Sequence, residues 1–297
     1  MEISVIILNW HAAHDTIACV NTLFGWRSII PHIFVVDNGS AETDTAQIAA
    51  ACPQVHLLKN TKNLGFAGGN NIGIRTALEK YPNAPMLLLN NDAAISETAI
   101  LTLLDVLTAD ETIGAVGPLL VDSNHPATLL AAGGINPVQH LRSHQLSAPQ
   151  TARPFQVDYV PGTAILIRTD VFRRVGLLDD RYFFTMEVAD WCHRAQNAGF
   201  KSVIVPTVTA SHSIHRSGAL RKSLYPYYTI RNRFLFLRKH YPHHIELWFF
   251  WTSYSLALTA KTTLTGETDT ARAVWRGLAD GLRGRFGNQN GQFLGEK

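Results

Sequence analysis

The stretch HIFVVDNGS, residues 32–40, decides how the chain folds. Its apolar run stops abruptly at Asp37 and Asn38, and SVIILNW at 4–10, VHLLKN at 55–60 and PMLLLNND at 85–92 stop the same way. Short, continuous apolar runs of this kind are strands buried on both faces, as in a parallel sheet. Helical-period stretches at 13–25, 42–51 and 70–80 separate them. This alternation predicts an α/β fold: an open, mostly parallel sheet flanked by helices, with ligands bound outside the carboxyl ends of the strands. One polar strand end often just caps the next helix or makes an Asx turn. Four together predict a site, drawn from Asn9, Trp10, Asp37, Asn38, Lys59, Asn60, Asn90, Asn91 and Asp92.

Further along, GAVGPLLV at 114–121 reads as another strand, and 122–156, rich in Pro, His, Ser and Gly, as a loop with a hairpin. Residues 159–176 read as a strand, an N-cap at Thr169 and a short helix closed by Gly176. A helix over 187–198 stops at Gly199, and a strand follows at 202–205.

With 297 residues, 46% hydrophobic and 16% charged, the chain is an ordinary globular protein of one large or two modest domains. Cys19, Cys52 and Cys192 form no C-x-x-C pair and leave one thiol over under any disulfide scheme, which predicts a reducing, cytoplasmic setting. Met1-Glu2-Ile3 offers no basic n-region of a secretory signal. Charge is unevenly divided: residues 1–215 carry 13 Lys and Arg against 18 Asp and Glu, whereas 216–297 carry 13 against 5. That basic tail suits an anionic lipid surface, phosphate or nucleic acid, or is a solvated basic helix.

NLGFAGGNNIGI at 63–74 concentrates glycine where backbone must turn tightly or approach something closely. It is neither a G-x-G-x-x-G nor a P-loop, so a dinucleotide site is disfavoured and a Walker site excluded. A flexible turn whose amides open a helix at Asn70 or Asn71 remains, a natural seat for diphosphate oxygens; packing is the other use of such glycines.

VVDNGS at 35–40, NLGFAGGNNIG at 63–73, LLLNND at 87–92, VGLLDDRYFF at 175–184 and EVADWCHRAQNAG at 187–199 form an ordered series. In that order they resemble the motifs of bacterial family 2 glycosyltransferases of the GT-A fold, especially rhamnosyltransferase-like members, over the first three quarters of the chain. The resemblance implies a GT-A catalytic domain at 1–215 with a basic, aromatic-rich helical region at 216–297. It implies inverting transfer of a sugar, rhamnose among the candidates, from a UDP- or dTDP-linked donor to a hydroxyl of a glycan or lipid-linked acceptor in cell-envelope polysaccharide synthesis, with Mg²⁺ or Mn²⁺ as cofactor and no nucleic acid as partner. Asp37 then matches the carboxylate that meets the nucleobase, with Asn9, Trp10 and Asn38 beside it. Asn63, Gly65, Phe66, Gly68, Asn71 and Asn91 fall among the donor-binding positions. Asn90-Asn91-Asp92 matches the D-x-D site with asparagine first, so only Asp92 keeps its charge for the metal. His212, in SHSIH with His215, falls where relatives supply a metal-binding histidine. Gly162 and Arg231, the latter in an R-N pair with Asn232, match positions near the acceptor or the phosphates.

The family base is the second of two adjacent acids, and Val188 stands there. Glu187 and Asp190, three apart and so on one helical face, inherit the role, Asp190 as first choice and Glu187 close behind. First-turn acids complementing the helix dipole are the alternative. LWFFWTSYSLALTA at 247–260 is uncharged yet shorter than the ~20 residues a span requires. With Trp275, Leu278, Leu282 and Phe286 among arginines, it predicts an amphipathic element at the inner face of the membrane, or a helix packed on its own domain or in a homodimer. A sugar nucleotidyltransferase is disfavoured because no N-terminal G-x-G-T-R loop is present; a non-catalytic sugar-nucleotide-binding relative is favoured only by Val188 and Asn90.

Overall fold

The computed structural model describes residues 1–213 and 224–294. The chain begins β1 (Glu2–Asn9), α1 (Ala13–Phe24), β2 (Ile30–Asn38), α2 (Glu42–Ala51), β3 (His56–Asn60), α3 (Gly65–Lys80) and β4 (Met86–Asn90). It continues through β5 (Ala93–Ile95), α4 (Glu97–Ala109), β6 (Ile113–Asp122), β7 (Leu129–Ala131), β8 (Phe155–Val157), β9 (Ala164–Ile167) and α5 (Thr169–Val175). A 3₁₀ turn (Asp180–Tyr182), α6 (Glu187–Asn197) and β10 (Lys201–His212) follow, then α7 (Leu224–His240), α8 (Ile245–Leu264), α9 (Thr268–Arg283) and α10 (Gly291–Leu294).

The strands lie in the order β3-β2-β1-β4-β9-β6-β10-β5. The first four are parallel, as their unbroken apolar runs predict. β9 then enters antiparallel between β4 and β6, so the sheet is mixed rather than uniformly parallel. Within 122–156, β7 forms a hairpin with β6, and β8, at the end of that segment (155–157), adds to β10. Alternate strand residues bury on opposite faces. Ile3, Val5 and Ile7 join a core under α1 and α4, while Ile6, Phe34 and Val36 join one shared with α3, α6 and α7.

Two local expectations need correction. α3 starts at Gly65, not at Asn70 or Asn71, because Gly69 and Gly73 press it onto the sheet: a Cβ on them would lie 2.4 Å from Leu8 Cδ1 and 2.6 Å from Ile6 Cγ2. Thr169 lies inside α5, whose N-cap is Arg168, and its hydroxyl donates instead to the Ala84 carbonyl.

The tail shares one core with the α/β body. Phe234, Leu235, Phe236, Trp251, Val274 and Leu278 are buried in the same cluster as the α3 and α6 side chains. The expected Trp275–Leu278–Leu282 stripe therefore splits, with Leu278 packed inside and Trp275 and Leu282 exposed. Among the described residues no helix is long and apolar enough to cross a membrane.

Candidate active site

The parallel register sets the polar strand ends side by side, with Asn9 opposite Asp37 and Asn38 opposite Asn60. A buried chain of hydrogen bonds runs across them. The Asn91 amide donates to Thr16 Oγ1 (3.0 Å), Thr16 donates to Asn9 Oδ1 (2.8 Å), and the Asn9 amide donates to Asp37 Oδ1 (2.8 Å). Thr45 donates to the other Asp37 oxygen at 3.0 Å. Asp37 is nearly buried, so this network fixes its carboxylate before any ligand arrives, leaving lone pairs for a donor N–H. Trp10 stands exposed beside it.

Asn38 does different work from that expected of a donor-binding residue. Its side chain is buried and ties down the glycine loop, accepting from the Leu64 amide and Asn60 and donating to Asn63 Oδ1 and the Gly65 carbonyl. Asn63 in turn accepts from the Gly65 amide at 2.7 Å. Asn71 is also turned away from ligand: its amide is engaged at both ends by the Leu178 backbone, at 2.8 and 3.1 Å, bracing the turn that leads to α6. Neither amide has the exposure that a donor contact needs.

Gly65 shows why the glycine cluster exists. Its φ is +75°, and a Cβ there would meet the Phe183 carbonyl oxygen at 2.2 Å. The Phe66 amide also donates to that carbonyl, at 2.6 Å, so the expected diphosphate contact is taken up by the chain itself at this amide. Gly68 lies one step on, with Leu64 beside it, and Gly162 sits between Phe66 and Val188. Gly65→Ala adds left-handed strain to overpacking and is expected to cost about 2–5 kcal/mol. Urea unfolding checks it; an unchanged midpoint rules the close approach out.

Phe183, Thr185 and Met186 all have positive φ, an unusual run of strained non-glycine backbone immediately before α6. Such strain persists only where surroundings over-determine it. Here the R-N pair does so. Arg231 Nη2 donates to the Arg181 and Tyr182 carbonyls, and the Asn232 amide donates to those of Phe184 and Thr185. Arg231 is fully buried, donates also to the Gly287 carbonyl, and lies over the Tyr228 ring. In place of the phosphate or acceptor contact expected of Arg231, the structure shows its guanidinium clamping the strained turn.

The two acids beyond that turn separate sharply. Asp190 is fully buried and held by Tyr182 (3.1 Å), Arg194 (3.0 Å), His240 (2.7 Å) and Lys239. Burial alone would raise its pKa, but His240, Lys239 and Arg194 outweigh burial and hold the carboxylate well below the usual range. An acid so stabilised as its anion is poorly suited to take up a proton near neutrality, which favours Glu187 over Asp190, the first choice for the base. Glu187 is the opposite. It is 6% exposed, its Oε2 is buried with no hydrogen-bond partner, and burial, reinforced by the Asp190 charge, raises its pKa to about 7 against the pull of its own backbone amide. That is the poise a general base requires. Val188, at the family's usual base position, packs against Gly162 and the core.

Asp92 and His212 meet where β5 pairs with β10: Nε2 lies 3.2 Å from Oδ1, and both side chains are about one-fifth exposed. His215 lies outside the described residues. One carboxylate and one imidazole suit a divalent cation whose other ligands are diphosphate oxygens and water. Among the described residues no group of three or more metal-binding side chains occurs.

Residues 4–176 match the family described as Glycosyl transferase family 2. The chain belongs to that family. Among curated relatives of this glycosyltransferase, the low-salt glycan biosynthesis hexosyltransferase Agl10 of Haloferax volcanii is 26% identical over 79% of this chain and 75% of its own. The N-acetylglucosaminyl-diphospho-decaprenol L-rhamnosyltransferase of Mycobacterium tuberculosis is 29% identical over 63% and 68%. Among solved structures, a mannosyltransferase of Pyrobaculum calidifontis in complex with GDP-Man and Mn²⁺ superposes with a TM-score of 0.58 at 13% identity, covering 94% of this chain and 86% of that one. The likeness supports the GT-A fold, and the family membership makes the protein a glycosyltransferase.

Proposed function

We propose that this glycosyltransferase transfers a sugar, with inversion, from a UDP- or dTDP-linked donor to a hydroxyl of a lipid-linked or envelope glycan, with Glu187 as the base. The observation that carries this reading is Glu187 at the head of α6, behind a strained turn: its Oε2 is buried with no hydrogen-bond partner and its pKa is raised to about 7. In the proposed reaction Asp37, Asn9 and Trp10 line the nucleobase pocket, and Gly68 and Asn91 border the diphosphate. Glu187 takes the acceptor hydroxyl's proton as that oxygen attacks the anomeric carbon and the nucleoside diphosphate leaves. A bound Mg²⁺ or Mn²⁺, held by Asp92 and His212, supplies electrostatic stabilisation of the leaving diphosphate. Residues 1–215 contribute these groups, and 216–297 brace them.

The M. tuberculosis relative's name specifies a lipid-linked acceptor, and the tail of this chain offers a surface suited to meeting one. Ile245, Phe249, Leu256 and Leu264 are exposed along α8, within a region whose basic residues outnumber its acids 13 to 5. Apolar and cationic groups together favour peripheral contact with an anionic membrane face.

Asp92→Asn tests the metal arm. The variant is expected to lose about 100-fold or more in kcat/KM and to bind Mn²⁺ more weakly in the presence of dTDP or UDP, read by the Mn²⁺ electron paramagnetic resonance signal. Unaltered Mn²⁺ binding removes Asp92 from this role whatever happens to turnover.

A further inference from the structure

A second recess opens away from the strand ends. It is a cavity of about 450 Å³ between residues 141–146 and helices α7, α8 and α9, with Leu141, Leu146, Ile230, Leu258 and Val274 among its walls. Its polar end is unusual. Arg233 lines it, is 5% exposed, and has no carboxylate within ion-pair distance among the described residues. The guanidinium donates to three carbonyl oxygens, of Pro137 (3.2 Å), Thr229 (3.1 Å) and Leu141 (3.2 Å), and its carbon lies 4.0 Å from the Trp251 ring centroid. Five N–H groups are available to an arginine, so donors remain. Thr229 also lines the cavity, and its hydroxyl is buried with no partner.

Among the described residues this buried cation has no counter-ion and this buried hydroxyl no partner, and both are costly unless something else completes them. Apolar walls exclude a fully polar ligand, while the arginine and hydroxyl select an anionic, hydrogen-bond-accepting head. His144 also lines the cavity, and burial holds its pKa below the ordinary value. Location narrows the choice further. α8 contributes Tyr254 and Leu258 to the cavity and exposes Phe249 and Leu256 on its outer side.

We propose that this cavity seats the phosphate-bearing end of a polyprenyl-linked acceptor, its phosphate on Arg233 and Thr229 and its first isoprene units against Leu141, Leu146 and Leu258. The assignment rests on the lipid-linked reading above and deepens it, because it gives the acceptor's lipid a seat separate from the donor.

Binding of farnesyl phosphate and of farnesol to the full-length protein, by calorimetry, tests it. Farnesyl phosphate is expected to bind at least about ten-fold more tightly than farnesol, one charge-assisted contact being worth that factor. Arg233→Met is expected to remove the difference. Because that variant leaves carbonyls unpaired, Leu258→Trp, which fills the cavity without replacing the arginine, is the second arm; it is expected to weaken farnesyl phosphate at least ten-fold while melting like the wild type. Equal affinity for phosphate and alcohol, or undiminished binding by Leu258→Trp, overturns the proposal. Displacement of farnesyl phosphate by phosphatidylglycerol vesicles reassigns the cavity to bilayer lipid and overturns it as an acceptor seat. Titration with UDP and dTDP in the same sample separates the two readings: nucleotide binding without farnesyl phosphate binding defeats the cavity alone, and absence of both defeats the transferase reading too.

Discussion

Glu187→Gln is expected to lower kcat by roughly 10²–10⁴-fold, the usual loss when a general base is removed, while nucleotide-sugar binding persists. Glutamine keeps the shape and cannot take a proton. The wild-type rate is expected to rise with pH through about 7, as the Glu187 carboxyl ionises, and the variant's residual rate is expected to lose that step. Stability supplies an independent sign. A carboxyl whose pKa is raised in the folded state contributes stability that is fully present below the unfolded value and is lost as pH rises through the folded one. Glu187 therefore destabilises the fold above about pH 7, by up to roughly 3 kcal/mol, and Glu187→Gln is expected to melt higher than wild type at pH 8. A first-turn acid that merely complements the helix dipole predicts the reverse, a lower melting temperature with turnover intact. That pair of results would remove Glu187 from catalysis.

What the sequence discloses and what it withholds divide along the range of the interactions concerned. Apolar runs ending in Asn or Asp mark buried strands and their functional ends, because burial and chain direction are local properties; hence β1 to β4 and the Asn9–Asp37 pairing are legible. The direction of β9 is not, since a buried strand is equally apolar whichever way it runs. Gly65 announces that something lies close, but the carbonyl responsible belongs to Phe183, brought there by the fold. The R-N pair at 231 and 232 was visible as a motif, while its partners, the carbonyls of 181–185, were not. Asn71 misleads for the same reason, its Leu178 partner being distant in the chain. Spacing placed Glu187 and Asp190 on one face, and the sequence put Asp190 first because Lys239 and His240, which claim it, arrive from the tail and leave no local sign.

That claim makes Asp190→Asn the sharpest test of how the tail and the catalytic helix depend on each other. The carboxylate is buried among Arg194, Lys239, His240 and the Tyr182 hydroxyl, and Lys239 reaches on to Asp179 at 2.7 Å. Removing the negative member leaves cations facing one another with little water to screen them. Breaking a buried pair in this way typically costs about 3–5 kcal/mol, a large part of the 5–15 kcal/mol that holds a domain folded. The sign with pH is fixed by the depressed pKa: the stabilisation is present above the unfolded aspartate value and is lost as pH falls through the folded one. Urea unfolding of Asp190→Asn is thus expected to show a deficit at neutral pH that shrinks below about pH 4. A base would behave otherwise. If Asp190→Asn unfolds like wild type and turnover alone disappears, with the rise near pH 7 gone, then Asp190 and not Glu187 takes the proton, and the α6–α7 tie is no more than a surface contact in energetic terms.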